Sequence, residues 1–405
     1  MNNSQPCSDD FELTEHDQRN NIWRLTLAQA LAGANSVVVF ATGAIVGSML
    51  APSPLLATLP ISIFVVGMAA CILPAGAIAR RQGRRAAFLI GTIAGVLVGL
   101  LSMTAMMLES FWLFCLGTFF GGAYAAVVLS FRFAATDGVA PKRKAQALSL
   151  VMGGGVAAGI VGPQLVTFTM YLWPTHLYAA TFLVQALVAA ISALVLMGVR
   201  LPKPTAAEIS GGRPLTRIIT QPKFIAAATC GAVSYTLMNF LMTAAPLAMH
   251  MNGHSPVDAN LGLQWHVIAM YAPSFFTGRL ITRFGAAQIA ALGLLLTGVA
   301  TAIGLGGVEV FHFWWMLILL GIGWNFGFLG ASAWLLESHT FIEKTRVQSL
   351  NDFIIFGLMA LGSFSSGGIL SIYGWNMVLW ISFAPLILTV LVLLFKPSAI
   401  SLRKE

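Results

Sequence analysis

Few side chains in this 405-residue chain could do chemistry inside the apolar runs that make up most of it. Asn35, Tyr124, Asn239 and Asn325 stand near the middle of four such runs, with Phe120, Tyr235, Met238, Met242 and Trp324 close by. Amides and phenols among aromatic rings and thioethers hydrogen-bond and stack on a solute, and release it again, without making or breaking covalent bonds. Three titratable side chains join them. His266 changes charge near neutral pH when a cavity exposes it, and Arg132, near the inner end of its run, is followed by Asp137. These three are the candidates for proton coupling or for a charge contact. No catalytic constellation accompanies them: HExxH, GxSxG and GxxxxGK[ST] are all absent. Glycines 153, 155 and 159 and glycines 321, 323 and 327 lie inside apolar runs with no strand before them, so they are not nucleotide loops. The sequence therefore argues against an enzyme and against an ATP-driven pump, and it implies no cofactor. His250, His254, Asp258 and His312 are too scattered for a metal site.

The elements that must position these residues follow from composition. Hydrophobic residues make up 58% of the chain and charged residues 9%, against about 25% charged in a soluble domain. An integral membrane protein built of helices is expected. A span takes about 20 apolar residues, and runs lie near 24–49, 56–79, 86–108, 111–133, 146–170 and 178–199. A polar stretch, 200–223, follows. Six further runs lie near 224–250, 261–281, 286–307, 312–335, 350–370 and 376–395. The predicted organisation is a tail (1–23), a six-helix bundle (24–199), a central loop (200–223), a second six-helix bundle (224–395) and a second tail (396–405). Cys71, Cys115 and Cys230 fall inside apolar runs and Cys7 in the tail, a spacing that suits neither disulfides nor zinc. The acidic residues of the first tail, and its lack of the basic start and cleavage site of a signal peptide, read as a disordered cytoplasmic leader.

Orientation comes from the stretch 74–85, PAGAIARRQGRR, where an apolar run ends in Arg80, Arg81, Arg84 and Arg85 around Gly83. Basic residues concentrate in cytoplasmic loops. Placing this cluster inside puts the central loop, Lys142–Lys144, Arg279, Arg283, Lys344 and Arg346 on the same side, and leaves the outer loops without Lys or Arg. Both termini are then expected in the cytoplasm of a bacterial inner (plasma) membrane. The net charge of +8 is thus a topology signal, and nucleic acid is not an expected partner. The halves also repeat. One offset of 202 residues carries Gly76, Arg81 and Gly83 onto Gly278, Arg283 and Gly285, and the same register pairs Gly91 with Gly293, Trp112 with Trp314, Lys142 with Lys344 and Gln146 with Gln348. A parallel repeat of two six-span halves implies a solute path between them, opened to each side in turn as the halves rock.

Gly76, Arg81, Gly83, Arg84 and Arg85 resemble the loop motif of the major facilitator superfamily, in which a glycine is followed by an aspartate, a basic residue, a glycine and two further basic residues. Here the aspartate position is Arg80, and Thr282 in the second copy. The resemblance implies a fold of twelve transmembrane helices in two pseudo-symmetric bundles, and the whole chain fits that plan. It also implies that the motif contacts the start of span eleven. Asp352 is expected in the first turn of that span, so a reversed latch between Arg80 and Asp352 is a candidate gate. Span five, with Gly155, Gly159, Gly162 and Pro163, resembles the glycine-rich segment of the superfamily's antiporters, and packing alone would also account for it. The stretches 265–285 and 349–367 resemble a group of bacterial members without an assigned substrate. In the family, spans one, four, seven and ten line the central cavity, which would gather Asn35, Phe120, Tyr124, Tyr235, Asn239, Trp324 and Asn325 into a solute site.

The function expected from these features is secondary active transport of a small, neutral or amphipathic organic solute, with protons as the coupling ion, by a monomer in the lipid bilayer. The span-five resemblance leans towards efflux of drug-like or metabolite compounds. Proton-driven uptake of a vitamin-like or siderophore-like nutrient is the alternative, and a non-transporting sensor on the same fold is the alternative of another class. No Asp or Glu is expected at mid-membrane, which argues against a strongly cationic solute.

Overall fold

Inside a bilayer a backbone has no water to bond, so an isolated apolar segment satisfies its N–H and C=O groups only as a helix. The computed structural model obeys this throughout the residues it describes, which are 14–394 apart from 54, 55, 57, 58, 203 and 205–211. Residues 1–13 of the expected leader, part of the central loop and the tail 396–405 lie outside the described residues. The first bundle comprises α1 (Glu15–Leu50), α2 (Leu59–Gln82), α3 (Arg84–Met107), α4 (Phe111–Leu129), α5 (Lys144–Thr169) and α6 (Ala179–Met197). The second comprises α7 (Pro222–Met251), α8 in two pieces (Pro256–Tyr271 and Ser274–Phe284), α9 (Ala286–Leu305) and α10 (Val310–Leu335). A last helical run, Lys344–Leu394, breaks at Gly374 and supplies α11 (344–373) and α12 (375–394).

Among the described residues, eleven helices are long and apolar enough to cross a membrane. The twelfth crossing is α8, parted at Ala272 and Pro273 because Pro273 has no N–H to continue the ladder. Its 16-residue and 11-residue pieces are each shorter than a bilayer core and together long enough, at ~1.5 Å per residue. Two helices start furthest ahead of where hydropathy suggests. The first begins at Glu15, where Thr14 caps it by accepting from the Asp17 N–H at 3.1 Å. At the other end of the chain α11 begins at Lys344, which places Asp352 two turns into the helix and away from its dipole end.

The internal repeat is visible in the backbone. Gly83, between α2 and α3, has φ 94° and ψ 156°, and Gly285, between α8 and α9, has φ 97° and ψ 151°. Only glycine adopts this region without strain. The same tight turn is therefore made twice, 202 residues apart.

Lipid tails are as apolar as leucine, so burying apolar surface does not drive spans together. Close approach at small residues does. A Cβ at Gly122 of α4 would stand 1.9 Å from the Phe64 carbonyl oxygen of α2, and one at Gly293 of α9 would stand 2.1 Å from the Gly327 nitrogen of α10. Between the bundles, α2 lies along α11 and α5 along both pieces of α8. Trp112, Trp173, Trp315, Tyr171 and Tyr373 are exposed at helix ends opposite the arginine cluster, and Trp23, Phe284 and Phe341 at the basic ends. Rings at both levels match the aromatic belts of a bilayer-spanning protein.

The described end of the central loop is tied to the second bundle. Glu343, just before α11, accepts from Arg213 Nε at 2.6 Å, Arg213 Nη2 at 2.8 Å and the Thr340 N–H at 2.9 Å.

Two measurements test this packing. Gly122→Ala is expected to cost about 1–3 kcal/mol through overpacking. Gly357→Ala, where a Cβ meets nothing within 4 Å, is expected to leave the melting temperature of the purified protein unchanged. Arg213, and after it the Thr340 N–H, hold the Glu343 carboxyl down to about 2 from an ordinary 4.5. A depressed acid stabilises above its ordinary value and loses that contribution as pH falls through the folded one. Glu343→Gln is therefore expected to melt earlier than wild type at about pH 7, and the gap to close as the buffer is taken below about pH 4.

Candidate functional site at the bundle interface

The basic ends of the bundles are joined by charge. Arg84, the first residue of α3, is buried and lies with Nε 2.9 Å from Asp137 Oδ2, while its Nη2 donates to Gln348 Oε1 of α11 at 2.6 Å. Asp137 follows the short helix Phe131–Ala134 at the end of α4, and its other oxygen lies 3.1 Å from Lys344 Nζ. One layer deeper, Arg132 donates from Nη2 to Asp352 Oδ1 at 2.6 Å and from Nη1 to the Leu129 carbonyl. Neither partner reaches solvent: Arg132 is 0% and Asp352 4% exposed. Beside Gly76, Ser349 and Asp352 there is a cavity of about 30 Å³, enough for one water.

Several expectations change here. Asp352 is bonded to Arg132 and to Asn351 Nδ2, so the latch expected from Arg80 is made by Arg132. The acid from the facing bundle and the Phe133 and Phe328 rings, 4.2 and 4.6 Å from the guanidinium, hold it inside. Asp137 answers Arg84 and Lys344 and not Arg132. An acid does stand between the bundles, because α11 starts early enough to carry Asp352 inward.

The repeat duplicates the glycines of this contact but not the charges. A Cβ at Gly76 would meet Ser349 Oγ at 2.0 Å, and one at Gly278 would meet the Gln146 backbone at 2.7 Å, so α2 closes on α11 as α8 closes on α5. The 202-residue offset turns Arg84 into Ala286, Arg132 into Trp334 and Asp352 into Leu150. The α5 contact is apolar instead: Gly153 faces Phe275, Gly155 faces the Tyr271 ring and Gly159 faces Val267. Gly162 faces Val37 of α1 within its own bundle. Of the span-five motif, Gly155 and Gly159 thus serve the contact between bundles, Gly162 packs inside one, and Pro163 lies within the unbroken helix.

Above the ion pair lies an aromatic cluster. Tyr235 of α7 packs edge-on against Trp324 and Phe328 of α10 and Phe356 of α11, at centroid distances of 5.4, 5.0 and 4.8 Å. Trp324 stacks on Phe328 at 5.3 Å and meets Tyr271 at 5.6 Å. Asn239 stands one turn beyond Tyr235 on the same face of α7. It is buried and its Nδ2 has no partner; the same holds for Trp324 Nε1. Phe120 is half-buried against the core cluster that includes Trp324.

The other sequence candidates point elsewhere. Gln185 of α6 donates to Asn35 Oδ1 at 2.7 Å, and the Tyr124 ring covers Gly95 of α3, so both are packing groups of the first bundle. Asn325 accepts from Thr277 at 2.7 Å and donates to the Met270 carbonyl and Ser274 Oγ at 2.6 Å each. It braces α8 where Pro273 interrupts the ladder. His266 Nδ1 bonds the Leu317 carbonyl at 2.6 Å. A carbonyl only accepts, so Nδ1 carries a proton and the ring clamps α8 to α10. An amide on an apolar helix turns to whichever neighbour offers partners, and sequence depth alone does not say which. Tyr271, Phe328, Phe356 and Gln348 were not candidates from sequence; Gln348 had a signal in its repeat partner Gln146, and the rings looked like ordinary core.

The family model for the Major Facilitator Superfamily matches residues 25–263. The chain belongs to the major facilitator superfamily. It is 47% identical over 385 residues to the riboflavin transporter RfnT of Brucella anthropi, covering 94% of this chain and 96% of that protein. An uncharacterized MFS-type transporter of Bacillus subtilis, YdeG, is 28% identical over 87% of this chain and 86% of its own. Among solved structures, the human organic anion transporter MFSD10 superposes with a TM-score of 0.73 at 16% identity, over 93% of this chain and 99% of its own. A bacterial homologue of the iron transporter ferroportin, in the outward-facing state, gives 0.69 at 15%, over 92% and 98%. At such identities these structures speak for the fold alone. As a member of this superfamily the chain is a transporter and not an enzyme.

The cross-bundle pair yields a test. Removing one partner strands a buried charge, at about 3–5 kcal/mol, whereas replacing both with apolar groups is close to neutral. Asp352→Leu is expected to lower the melting temperature, and Arg132→Met with Asp352→Leu to restore it. Solute flux is expected to stay low in both. Flux that returned with stability would show that the pair only supports the fold.

Proposed function

We propose that this transporter takes up riboflavin or a closely similar vitamin across the bacterial inner membrane, with its basic face in the cytoplasm. The observation that carries the reading is the 47% identity to a riboflavin transporter over nearly the full length of both chains. The aromatic cluster supports it, since a flat tricyclic ring gains most from stacking between Tyr and Trp faces. Uptake replaces export as the favoured direction. The glycine-rich segment of α5, which leaned towards export, is accounted for by helix contacts to α1 and α8.

In this reading the bundles 24–199 and 224–395 rock about the site, and the Arg84, Asp137, Lys344 and Arg132, Asp352 contacts shut the cytoplasmic side while a solute enters from outside. Protons couple through Asp352. A proton on that carboxylate weakens its hold on Arg132, so the gate parts, and the opened cytoplasmic side takes the proton away. His266 has no part in this, because its ring is committed to α10.

Labelled riboflavin uptake into cells or proteoliposomes checks the reading. Saturable uptake that increases with an inward proton gradient is expected; absence of flux with riboflavin would overturn it. Asp352→Asn is expected to lose the gradient dependence while keeping exchange of labelled for unlabelled vitamin.

A further inference from the structure

We infer that Asn239 and Trp324 are the specificity-determining residues that read the imide edge of the flavin ring; this rests on the reading of the solute given above. Two polar groups at the aromatic cluster are buried and unmatched. Asn239 is 3% and Trp324 0% exposed, and neither Asn239 Nδ2 nor Trp324 Nε1 has a hydrogen-bond partner. A buried amide or indole N–H left unpaired is costly, and a native fold retains one where something else supplies the partner.

Their placement says where that partner sits. Tyr235 touches Trp324 edge-on, and Asn239 follows Tyr235 by one turn on the same face of α7. By chain direction α7 runs away from the basic face and α10 towards it. Asn239 therefore lies on the far side of Tyr235, and Trp324 on the far side of Phe328. Both unmatched groups lie on the side of the cluster away from the ion pair, with Tyr235, Phe328 and Phe356 as a floor between. Unpartnered groups such as Gln29 Oε1 and Ser192 Oγ belong to helices of the first bundle, and Trp375 Nε1 is at the opposite end of the molecule from the gate.

The chemistry of the pair defines what it recognises. An amide offers a donor and an acceptor side by side, and the pyrimidine edge of an isoalloxazine presents the complement, a ring N3–H flanked by two carbonyls. Asn239 matches that edge bidentately, and the match survives exchange of its amide O and N, because the edge is flanked by a carbonyl on either side. The indole N–H of Trp324 supplies one more donor for a ring acceptor. Trp324 is wholly covered in this arrangement, so the solute meets it as the bundles loosen. The ribityl chain takes no part in this recognition.

Binding to purified protein, followed by flavin fluorescence, tests the assignment with riboflavin, lumiflavin (the ring without ribityl) and 3-methylriboflavin (the imide N–H blocked). Wild type is expected to bind riboflavin and lumiflavin comparably and 3-methylriboflavin more weakly. Asn239→Leu is expected to weaken riboflavin about three- to tenfold, the size of one neutral hydrogen bond, and to bind 3-methylriboflavin no worse than riboflavin. Trp324→Phe is expected to weaken riboflavin and 3-methylriboflavin by similar factors. Without ligand Asn239→Leu is expected to melt no earlier than wild type, since the near-isosteric side chain removes an unpaired group, whereas Trp324→Phe gives up part of a buried ring and is read by its affinities alone. A wild type that binds neither riboflavin nor lumiflavin overturns the vitamin reading and this assignment together. If wild type binds riboflavin but Asn239→Leu still discriminates against 3-methylriboflavin, or loses affinity only in step with a lower melting temperature, the assignment alone falls.

Discussion

A buried guanidinium and a nearly buried carboxylate, Arg132 and Asp352, join two bundles that lipid gives no reason to stay together. Removing both charges from water costs several kcal/mol for each ion, and only a short, well-supported contact offsets that. The support is present: the 2.6 Å bond to Asp352, the Leu129 carbonyl, and the Phe133 and Phe328 rings that flank the cation. Each partner belongs to a different bundle, so separating the bundles on this side leaves both ions in need of water. Such a contact favours a closed state or a hydrated open one, with little between. That is the bistability an alternating-access gate requires.

Duplication built the scaffold, and divergence placed the charges. The two glycine turns at 83 and 285 have the same backbone angles, and Gly76 and Gly278 both sit tightly on the opposite bundle. The ions occupy only the α2 and α11 side, where Arg84, Asp137 and Lys344 lie over Arg132 and Asp352. On the α5 and α8 side, glycines meet Phe275, Tyr271 and Val267. Apolar surfaces with shallow relief slide at small cost, whereas ion pairs break in steps. The structure therefore pairs a lock on one side with a smoother contact on the other, and Pro273, in the middle of α8, loosens the ladder of the helix that must follow.

In the proposed uptake cycle the aromatic cluster connects the gate to the solute. Phe328 touches both Arg132 and Trp324, and Phe356 stands one turn from Asp352 on α11. A ring that settles on Tyr235 and Trp324 therefore presses on side chains that hold the ion pair. That adjacency is the route the proposed cycle offers for occupancy of the site and state of the gate to inform each other. Asn35, Tyr124, Asn325 and His266 hold the helices that frame it.

The sequence alone determined the class, the helical fold, the repeat and the importance of the arginine-rich turn. Those depend on apolar composition, on the distribution of Lys and Arg and on a fixed 202-residue register, all of which are properties of the chain taken linearly. It also marked Tyr235, Asn239 and Trp324. What it could not assign was the direction in which each polar side chain turns, because an amide or an imidazole within a helix commits to whichever neighbouring helix offers a partner. Gln185 took Asn35, Thr277 took Asn325, and the Leu317 carbonyl took His266. The tertiary structure alone decided that Asp352 meets Arg132 and not Arg80. Helix α11 begins at Lys344, ahead of where hydropathy starts it, and the extra turns carry the acid past the surface arginines to the buried one.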